Sequence, residues 1–220
     1  LYLAIIALGL FGESVVRGSL VVAGDAAATA ANVLESPLLW RAGIVGDLLM
    51  HVLDVPLIAF FYLLLKPVSH PLALLATAFN VVQTCVLAAN KLTLVAALAL
   101  LESPAAAAAA AAPAFASLAI GLHGHGFGIG LLFFGLACLV RGWLIVRSGY
   151  VPRVLGVLLA LAGASYLVNT LALLLSPSLA SLLFPAVLLP AFVGELALAL
   201  WLLFANERTL QQRVAEGARR

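Results

Sequence analysis

The chain has 220 residues, of which 65% are hydrophobic and 9% are charged, and its mean hydropathy is +1.21. A soluble domain carries about 25% charged residues, which it needs to cover its surface. The composition therefore excludes an ordinary soluble domain and predicts an integral membrane protein in contact with the lipid bilayer. The formal net charge of +2 is too small to indicate a nucleic-acid-binding protein.

Six segments are long and apolar enough to cross a bilayer. About 20 apolar residues span a hydrocarbon core of roughly 30 Å. Each span must be α-helical, because a segment in lipid has to satisfy its own backbone hydrogen bonds. We therefore predict an all-α fold, a polytopic membrane helical bundle of about six transmembrane helices in one domain over residues 1–205. The predicted spans are approximately residues 1–16, 42–65, 72–101, 122–146, 154–175 and 182–205.

The two ends of the sequence carry separate expectations. The chain opens on Leu1 directly into the apolar segment LYLAIIALGLF, and we expect the start of this span to be missing from the sequence. No cleavable signal peptide is recognisable, because no small-residue cleavage site follows the apolar segment. Residues 206–220 (NERTLQQRVAEGARR) are expected to form a solvated basic tail in the cytoplasm.

Three connections between the spans have recognisable features. Asp25 is a good helix N-cap and precedes AAATAANVL, which predicts a short helix at the membrane surface. The alanine run 105–112 lies between prolines, and no chemistry is assigned to it. The stretch RSGYVP contains Gly149 and Pro152 and predicts a tight turn.

Lysine and arginine residues are distributed unequally between the two sets of connections, and such residues are enriched on the cytoplasmic side of membrane proteins. If the C-terminus is cytoplasmic, the outside connections hold only Arg17 and Arg41. The inside connections and the tail then hold Lys66, Arg147, Arg153, Arg208, Arg213, Arg219 and Arg220. This bias predicts that both termini face the cytoplasm.

Three ionisable residues share one face of the second predicted span. Asp47, His51 and Asp54 are spaced i, i+4 and i+7 in GDLLMHVLDVPL, which aligns them along one stripe of an α-helix. A charged side chain near the bilayer centre costs roughly 2.5–3.5 kcal/mol on insertion scales. The stripe is therefore predicted to face the protein interior or a water-filled cavity and to serve a function there.

Under the predicted topology, most polar residues of the spans lie in the outer half or near the middle of the membrane. If the helices bring these faces together, the residues line a polar cavity that opens outward. The candidate cavity residues are Asp47, His51, Asp54, Lys91, Asn169 and Glu195. Arg141 lies apart, toward the cytoplasmic side, where its side chain can snorkel.

Several of these residues also have a structural interpretation. Lys91 is expected to pair with a carboxylate such as Asp47 or Glu13, because an unpaired buried charge is costly; contact with a ligand is the alternative. Amide side chains within spans commonly form hydrogen bonds between helices. This interpretation applies to Asn80, Gln83, Asn90 and Asn169.

The histidines are weak metal candidates. A site would draw on His51, His123 and His125, but the spacing of two directs the last pair of rings to different helix faces. No metal, cofactor or catalytic residue is therefore assigned. The glycine-rich stretch GLHGHGFGIGLLFFG, which contains both of these histidines, and the later Gly156 and Gly163 are expected to permit close helix approach.

The chain resembles a bacterial membrane-protein family, domain of unknown function 4386. Three stretches carry the resemblance: GDAAATAANVLESPLLWRAGIVGDLLMHVLDVPL, FGIGLLFFGLACLVRGWLIVRSGYVPRVLGVLLALAGASYLVNTL and GELALALWLL. It implies a multi-pass protein of the bacterial inner membrane, without an established activity. Asp47, Asp54 and Glu195 match acidic positions of the family, whereas His51 is an addition and Asn80 stands where an arginine is expected.

Two functions of different classes compete. The first is a non-enzymatic membrane protein that binds or passes a small solute, lipid or proton through the polar cavity, or serves as a subunit of a larger assembly or homo-oligomer. The alternative is a membrane-embedded metal-dependent hydrolase of a lipid-like substrate. Its metal would be held by Asp47 and by His51, His123 or His125, and its base would be Asp54 or Glu195. The sequence does not decide whether the protein is an enzyme.

The predicted topology is tested by cysteine-accessibility labelling in a variant without Cys85 and Cys138. We expect a cysteine placed in the alanine run to be labelled from outside, and Ser148→Cys to be labelled only from the cytoplasm. Outside labelling of Ser148→Cys without labelling of the alanine run contradicts the topology.

Overall fold

The computed structural model describes residues 1–104 and 111–205. Helices make up nearly all of this part of the chain, which contains no strand, and we number them α1–α8 in chain order. They are α1 Tyr2–Leu20, α2 Ala26–Glu35, α3 Pro37–Leu65, α4 His70–Glu102, α5 Ala112–Ser148, α6 Arg153–Leu175, α7 Pro177–Leu183 and α8 Leu189–Phe204. The basic tail and most of the alanine run lie outside the described residues.

Six segments of the described chain have the length and composition of membrane spans: α1, α3, α4, α5, α6 and Ala186–Phe204, which contains α8. The predicted fold class, a polytopic helical bundle, is therefore confirmed. Helix α5 begins at Ala112, about ten residues before the predicted span, because Pro113 and the small residues after it are compatible with a first helical turn. The last span begins at Ala186 rather than near residue 182, because α7 ends at Leu183 and Pro185 has no N–H to continue it.

The short helix predicted after Asp25 and the turn predicted at Gly149 are both present, and the position of the helix at the membrane surface stays a prediction. Asp25 caps α2, and its Oδ1 accepts a hydrogen bond from the Ala28 N–H at 2.8 Å. In the turn after α5, Gly149 adopts a positive φ of 74°, a conformation that glycine tolerates at no steric cost. The neighbouring Tyr150 is buried and its hydroxyl donates to the Leu64 carbonyl. Burial raises the pKa of Tyr150 to about 12.

The chain divides into two compact units. Unit 1 comprises Leu1, Leu3–Leu53 and Cys85–Phe127. Unit 2 comprises Tyr2, Asp54–Thr84 and the chain from Gly128 onward. The units are described separately below.

Unit 1 has an apolar core around Trp40. This side chain is almost fully buried, and its indole N–H donates to the Leu94 carbonyl at 3.1 Å, so the polar atom is satisfied. Val16, Val33 and Leu94 pack in the same cluster. Gly43 faces Val16, where a Cβ would lie 2.8 Å from the valine side chain. The glycine therefore permits α1 and α3 to approach closely.

Unit 2 is organised by close contact between α5 and α6. A Cβ on Gly163 would lie 2.6 Å from the Gly135 carbonyl oxygen, and one on Gly156 would lie 2.6 Å from that of Gly142. These contacts confirm the role predicted for Gly156 and Gly163. The same prediction is wrong for Gly124, and also for Gly121, since no described atom of another element lies within 4 Å of a Cβ added at either position.

Paired alanine substitutions test this packing. Gly163→Ala should lower the Tm in detergent, because overpacking costs about 1–3 kcal/mol. Gly124→Ala is the matched control on open helix surface, and it should leave the Tm unchanged or raise it, since alanine favours the helix by about 1 kcal/mol over glycine. Equal Tm changes in the two variants would contradict the α5–α6 contact.

Candidate functional site

The candidate site in unit 1 is built around Asp47. This residue lies on α3 with a side chain that is only 1% exposed. Gly12 of α1 faces it, and a Cβ at Gly12 would overlap the Asp47 Oδ1 atom. A glycine at this position therefore lets the α1 backbone approach the buried carboxylate.

Two cationic side chains contact the same carboxylate oxygen. Arg17 Nη1 lies 2.8 Å from Asp47 Oδ2, and Lys91 Nζ lies 2.9 Å from it. The predicted pairing of Lys91 with Asp47 is confirmed. Arg17 also donates through Nε to Glu13 Oε2 at 2.8 Å. We call Arg17, Asp47 and Lys91 the charge cluster.

The charge cluster is not balanced within the protein interior. Two cations and one carboxylate give the cluster a formal charge of +1. The carboxylate that offsets this charge belongs to Glu13, which lies outside the cluster and is 66% exposed. Lys91, only 2% exposed, lies at ion-pair distance from Asp47, yet its Nζ makes no hydrogen bond of acceptable geometry within the described chain. Buried donors without acceptors are costly, so this position has unused hydrogen-bonding capacity.

Three histidines lie in the same unit. His51, one turn after Asp47, is buried, and its Nε2 has no hydrogen-bond partner in residues 1–104 and 111–205. The Asn90 amide N–H donates to the His123 carbonyl at 2.8 Å, and its nitrogen lies 3.0 Å from His123 Nδ1. This bond between α4 and α5 confirms the interhelical role expected of Asn90. His125 is exposed and contacts its own helix, at the Gly121 carbonyl.

The predicted cavity residues divide between the units. Asp47, His51 and Lys91 belong to unit 1, and Asp54, Asn169 and Glu195 belong to unit 2. In unit 2, Asp54 Oδ2 accepts a hydrogen bond from Thr84 at 2.6 Å. Glu195 accepts hydrogen bonds from Tyr2 and Tyr166, and Asn169 is half-buried on α6.

Two sequence-based expectations about polar side chains in unit 2 are wrong. Arg141 does not snorkel to a surface; it is buried, with its guanidinium 4.8 Å from the centre of the Phe61 ring. Within the described residues, Asn80 and Gln83 form no hydrogen bond between helices; instead Asn80 Nδ2 donates to Gln83 Oε1 within α4 at 2.6 Å. Polar side chains one helical turn apart can hydrogen-bond to each other. Such a bond within one helix competes with hydrogen bonds between helices.

Sequence reasoning placed Arg17 in a connection and missed its role. The structure places it inside α1, at the end of the π-helical segment Phe11–Arg17. The signal available was its spacing of four from Glu13, which predicts an ion pair if the helix continues through both residues. π-Helical turns within α-helices occur frequently at functional sites.

A double-mutant cycle tests the charge cluster. Asp47→Asn should destabilise the protein by about 3–5 kcal/mol, because it leaves two buried cations without their carboxylate. Lys91→Met should cost less, since Arg17 still pairs with Asp47. In the Asp47→Asn background, Lys91→Met should therefore raise the Tm in detergent.

The exposed pair Arg41–Glu102, with 2.7 Å between its charged atoms, provides the control. Arg41→Gln should change stability by no more than about 1 kcal/mol. Additive effects of Asp47→Asn and Lys91→Met would show that the two side chains do not share one electrostatic site.

Comparison with known proteins identifies the family. A family model described as Domain of unknown function (DUF4386) matches residues 1–205. An uncharacterised protein of Archaeoglobus fulgidus is 26% identical over 165 residues, which cover 75% of this chain and 84% of the relative. No solved structure matches this chain. Because the family model spans nearly the whole sequence, the protein belongs to the family Domain of unknown function (DUF4386).

Proposed function

We propose that this integral membrane protein binds a small anionic solute at the charge cluster and acts as a membrane-embedded binding or transfer protein. The observation that carries the proposal is Lys91, a buried ammonium group in a cluster with excess positive charge and with no acceptable hydrogen bond from its Nζ in the described chain. Such a group offers donors to a ligand that brings both negative charge and acceptor atoms.

The energetic cost of the cluster supports a functional interpretation. Taking charged groups out of water is expensive, and buried ion pairs replaced by well-packed apolar residues are often as stable or more stable. Ionisable residues within spans are correspondingly rare and mark ligand or ion pathways by default. If these positions only packed helices together, apolar side chains would stabilise the bundle equally well.

The sign of the charge selects the class of ligand. Asp47 is in contact with two cations, so a bound cation would add to an existing excess. An anion would bring the formal charge of the cluster from +1 to zero and supply acceptors for Lys91 Nζ. His51 Nε2, one helical turn from Asp47 and without a partner in the described chain, provides a further polar contact for the same ligand.

The hydrolase alternative receives no comparable support. Among the described residues, no group of three or more His, Cys, Asp or Glu side chains is placed to hold a metal ion. His51 and His123 are buried in unit 1, whereas His125 is exposed, and His123 already contacts Asn90 through its Nδ1.

The cellular setting is part of the proposal: a bacterial inner membrane with both termini in the cytoplasm. The described helices change the charge count that supports it, because Arg17 and Arg41 lie inside α1 and α3 rather than in connections. Their reassignment removes both basic residues from the outside connections. The same bounds place Arg147 and Arg153 at the ends of α5 and α6, so the cytoplasmic count that remains is Lys66 and the four arginines of the tail. A partner subunit or a homo-oligomer stays a prediction.

Thermal unfolding in a neutral detergent tests the ligand class. The purified protein is compared in sodium chloride, formate, acetate and phosphate at equal ionic strength. We expect at least one of these anions to raise the Tm by roughly 5–10 °C, the effect of about 2.7 kcal/mol when a ligand is present at 100 times its Kd. Lys91→Met should lose this increase.

Arg41→Gln is the matched control for removal of a basic residue in unit 1, because Arg41 is exposed and pairs with Glu102. It should keep the full anion response. An identical wild-type Tm in all four salts, or an unchanged response in Lys91→Met, contradicts the proposal.

A further inference from the structure

Unit 2 contains a buried guanidinium group that has no ion-pair partner among the described residues. Arg141 lies on α5 and is 5% exposed. Its guanidinium stacks on the Phe61 ring, but Nη2 has no hydrogen-bond partner and no carboxylate lies at ion-pair distance within the described chain. A ring face stabilises a cation without supplying the acceptor atoms that its N–H groups require.

The same unit contains two carboxylates that contact no cation among the described residues. Glu195 on α8 accepts hydrogen bonds from Tyr2, at 3.1 Å, and from Tyr166. Asp54 is buried and accepts from Thr84. The hydroxyl groups orient both carboxylates without neutralising their charge.

A series of side-chain contacts brings these three groups into one region of unit 2. The Arg141 guanidinium lies over the Phe61 ring, Phe61 packs edge-on against Tyr2 with 6.1 Å between ring centres, and Tyr2 donates to Glu195. Asp54 lies two turns before Phe61 on the same helix, α3. Opposite charges in a low-dielectric interior gain most by direct, hydrogen-bonded contact. Here the contact is not made, and the opposite charges are held apart by separate partners.

We propose that unit 2 binds a zwitterionic ligand, whose oxyanion group is held by Arg141 and whose ammonium group is held by Glu195 and Asp54. The planar fork of the guanidinium suits a carboxylate or a phosphate, which accept two parallel N–H bonds. The hydroxyl groups of Tyr2 and Tyr166 hold the Glu195 carboxylate in a fixed position, from which it can accept from an ammonium group.

Charge arithmetic separates this ligand from simpler ones. At formal charges, Arg141, Asp54 and Glu195 sum to −1. A ligand with only a negative group would make the local charge −2. A ligand with only a positive group would leave Arg141 without an acceptor. A zwitterion leaves the sum unchanged and supplies the missing contact to each group.

Free amino acids and lipids with an ethanolamine phosphate headgroup share this chemistry. The probes are therefore glycine and glycerophosphoethanolamine, with inorganic phosphate and ethanolamine as the separated halves. The Lys91→Met variant is used, because its charge cluster should no longer respond to anions. We expect at least one zwitterion to raise the Tm of this full-length variant in detergent, and neither half alone to do so at the same concentration. Arg141→Gln and Glu195→Gln should each abolish the shift.

Arg147→Gln is the matched control, because Arg147 also lies on α5 and stacks on an aromatic ring, that of Trp143. It should keep the response. Where Arg141→Gln does not fold, Arg141→Lys replaces it, and it should weaken the response because an ammonium group lacks the bidentate fork.

Nanodiscs distinguish the two sources of ligand. If phosphatidylethanolamine discs, but not phosphatidylglycerol discs, remove the response to added glycerophosphoethanolamine, the occupant is the lipid headgroup. If both discs keep the response, the occupant is a free solute. A shift with phosphate alone that equals the zwitterion shift, no shift with either zwitterion, or a shift that persists in Arg141→Gln overturns the proposal.

Discussion

A bilayer does not hydrate the side chains that a membrane protein buries in its spans, so each charged group must find its partners within the protein or in a ligand. Asp47 illustrates this constraint most clearly, because one carboxylate oxygen contacts both Arg17 and Lys91. The rest of unit 1 is compatible with this arrangement. Glycines at positions 12 and 43 bring α1 against α3, and Trp40 fills the apolar core with its own N–H satisfied.

Buried charged side chains make different contacts in the two units. In unit 1, opposite charges are in contact and the residual charge is positive. In unit 2, Arg141 is separated from Glu195 and Asp54, which bond to hydroxyl groups instead. Both arrangements leave unused donor capacity in the described residues, at Lys91 beyond its ion pair with Asp47 and at Arg141. Since unused buried donors cost free energy in a packed interior, we propose that ligands of suitable charge supply the acceptors.

The sequence predicted the helices well because the bilayer imposes a length and a composition that can be counted. It also predicted the Lys91–Asp47 pair, since a buried ammonium group needs a carboxylate and few were present. Arg17 was missed because the first span was ended at residue 16, whereas the helix continues to Leu20. Periodicity aligned Asp47, His51 and Asp54 on one helix, but it did not show that the last of these belongs to a different compact unit. Such divisions depend on how separate helices pack, which local spacing does not encode.

The central claim is that the charge cluster is completed by an anion from outside the chain. An experimental structure of the detergent-solubilised protein, determined in the salt that raises its Tm most, tests this directly. The account predicts density that is not protein within hydrogen-bonding distance of Lys91 Nζ, on the side away from Asp47 and within reach of His51 Nε2. A structure in which side chains or backbone carbonyls of the same chain satisfy Lys91 and His51, with no such density, would contradict it.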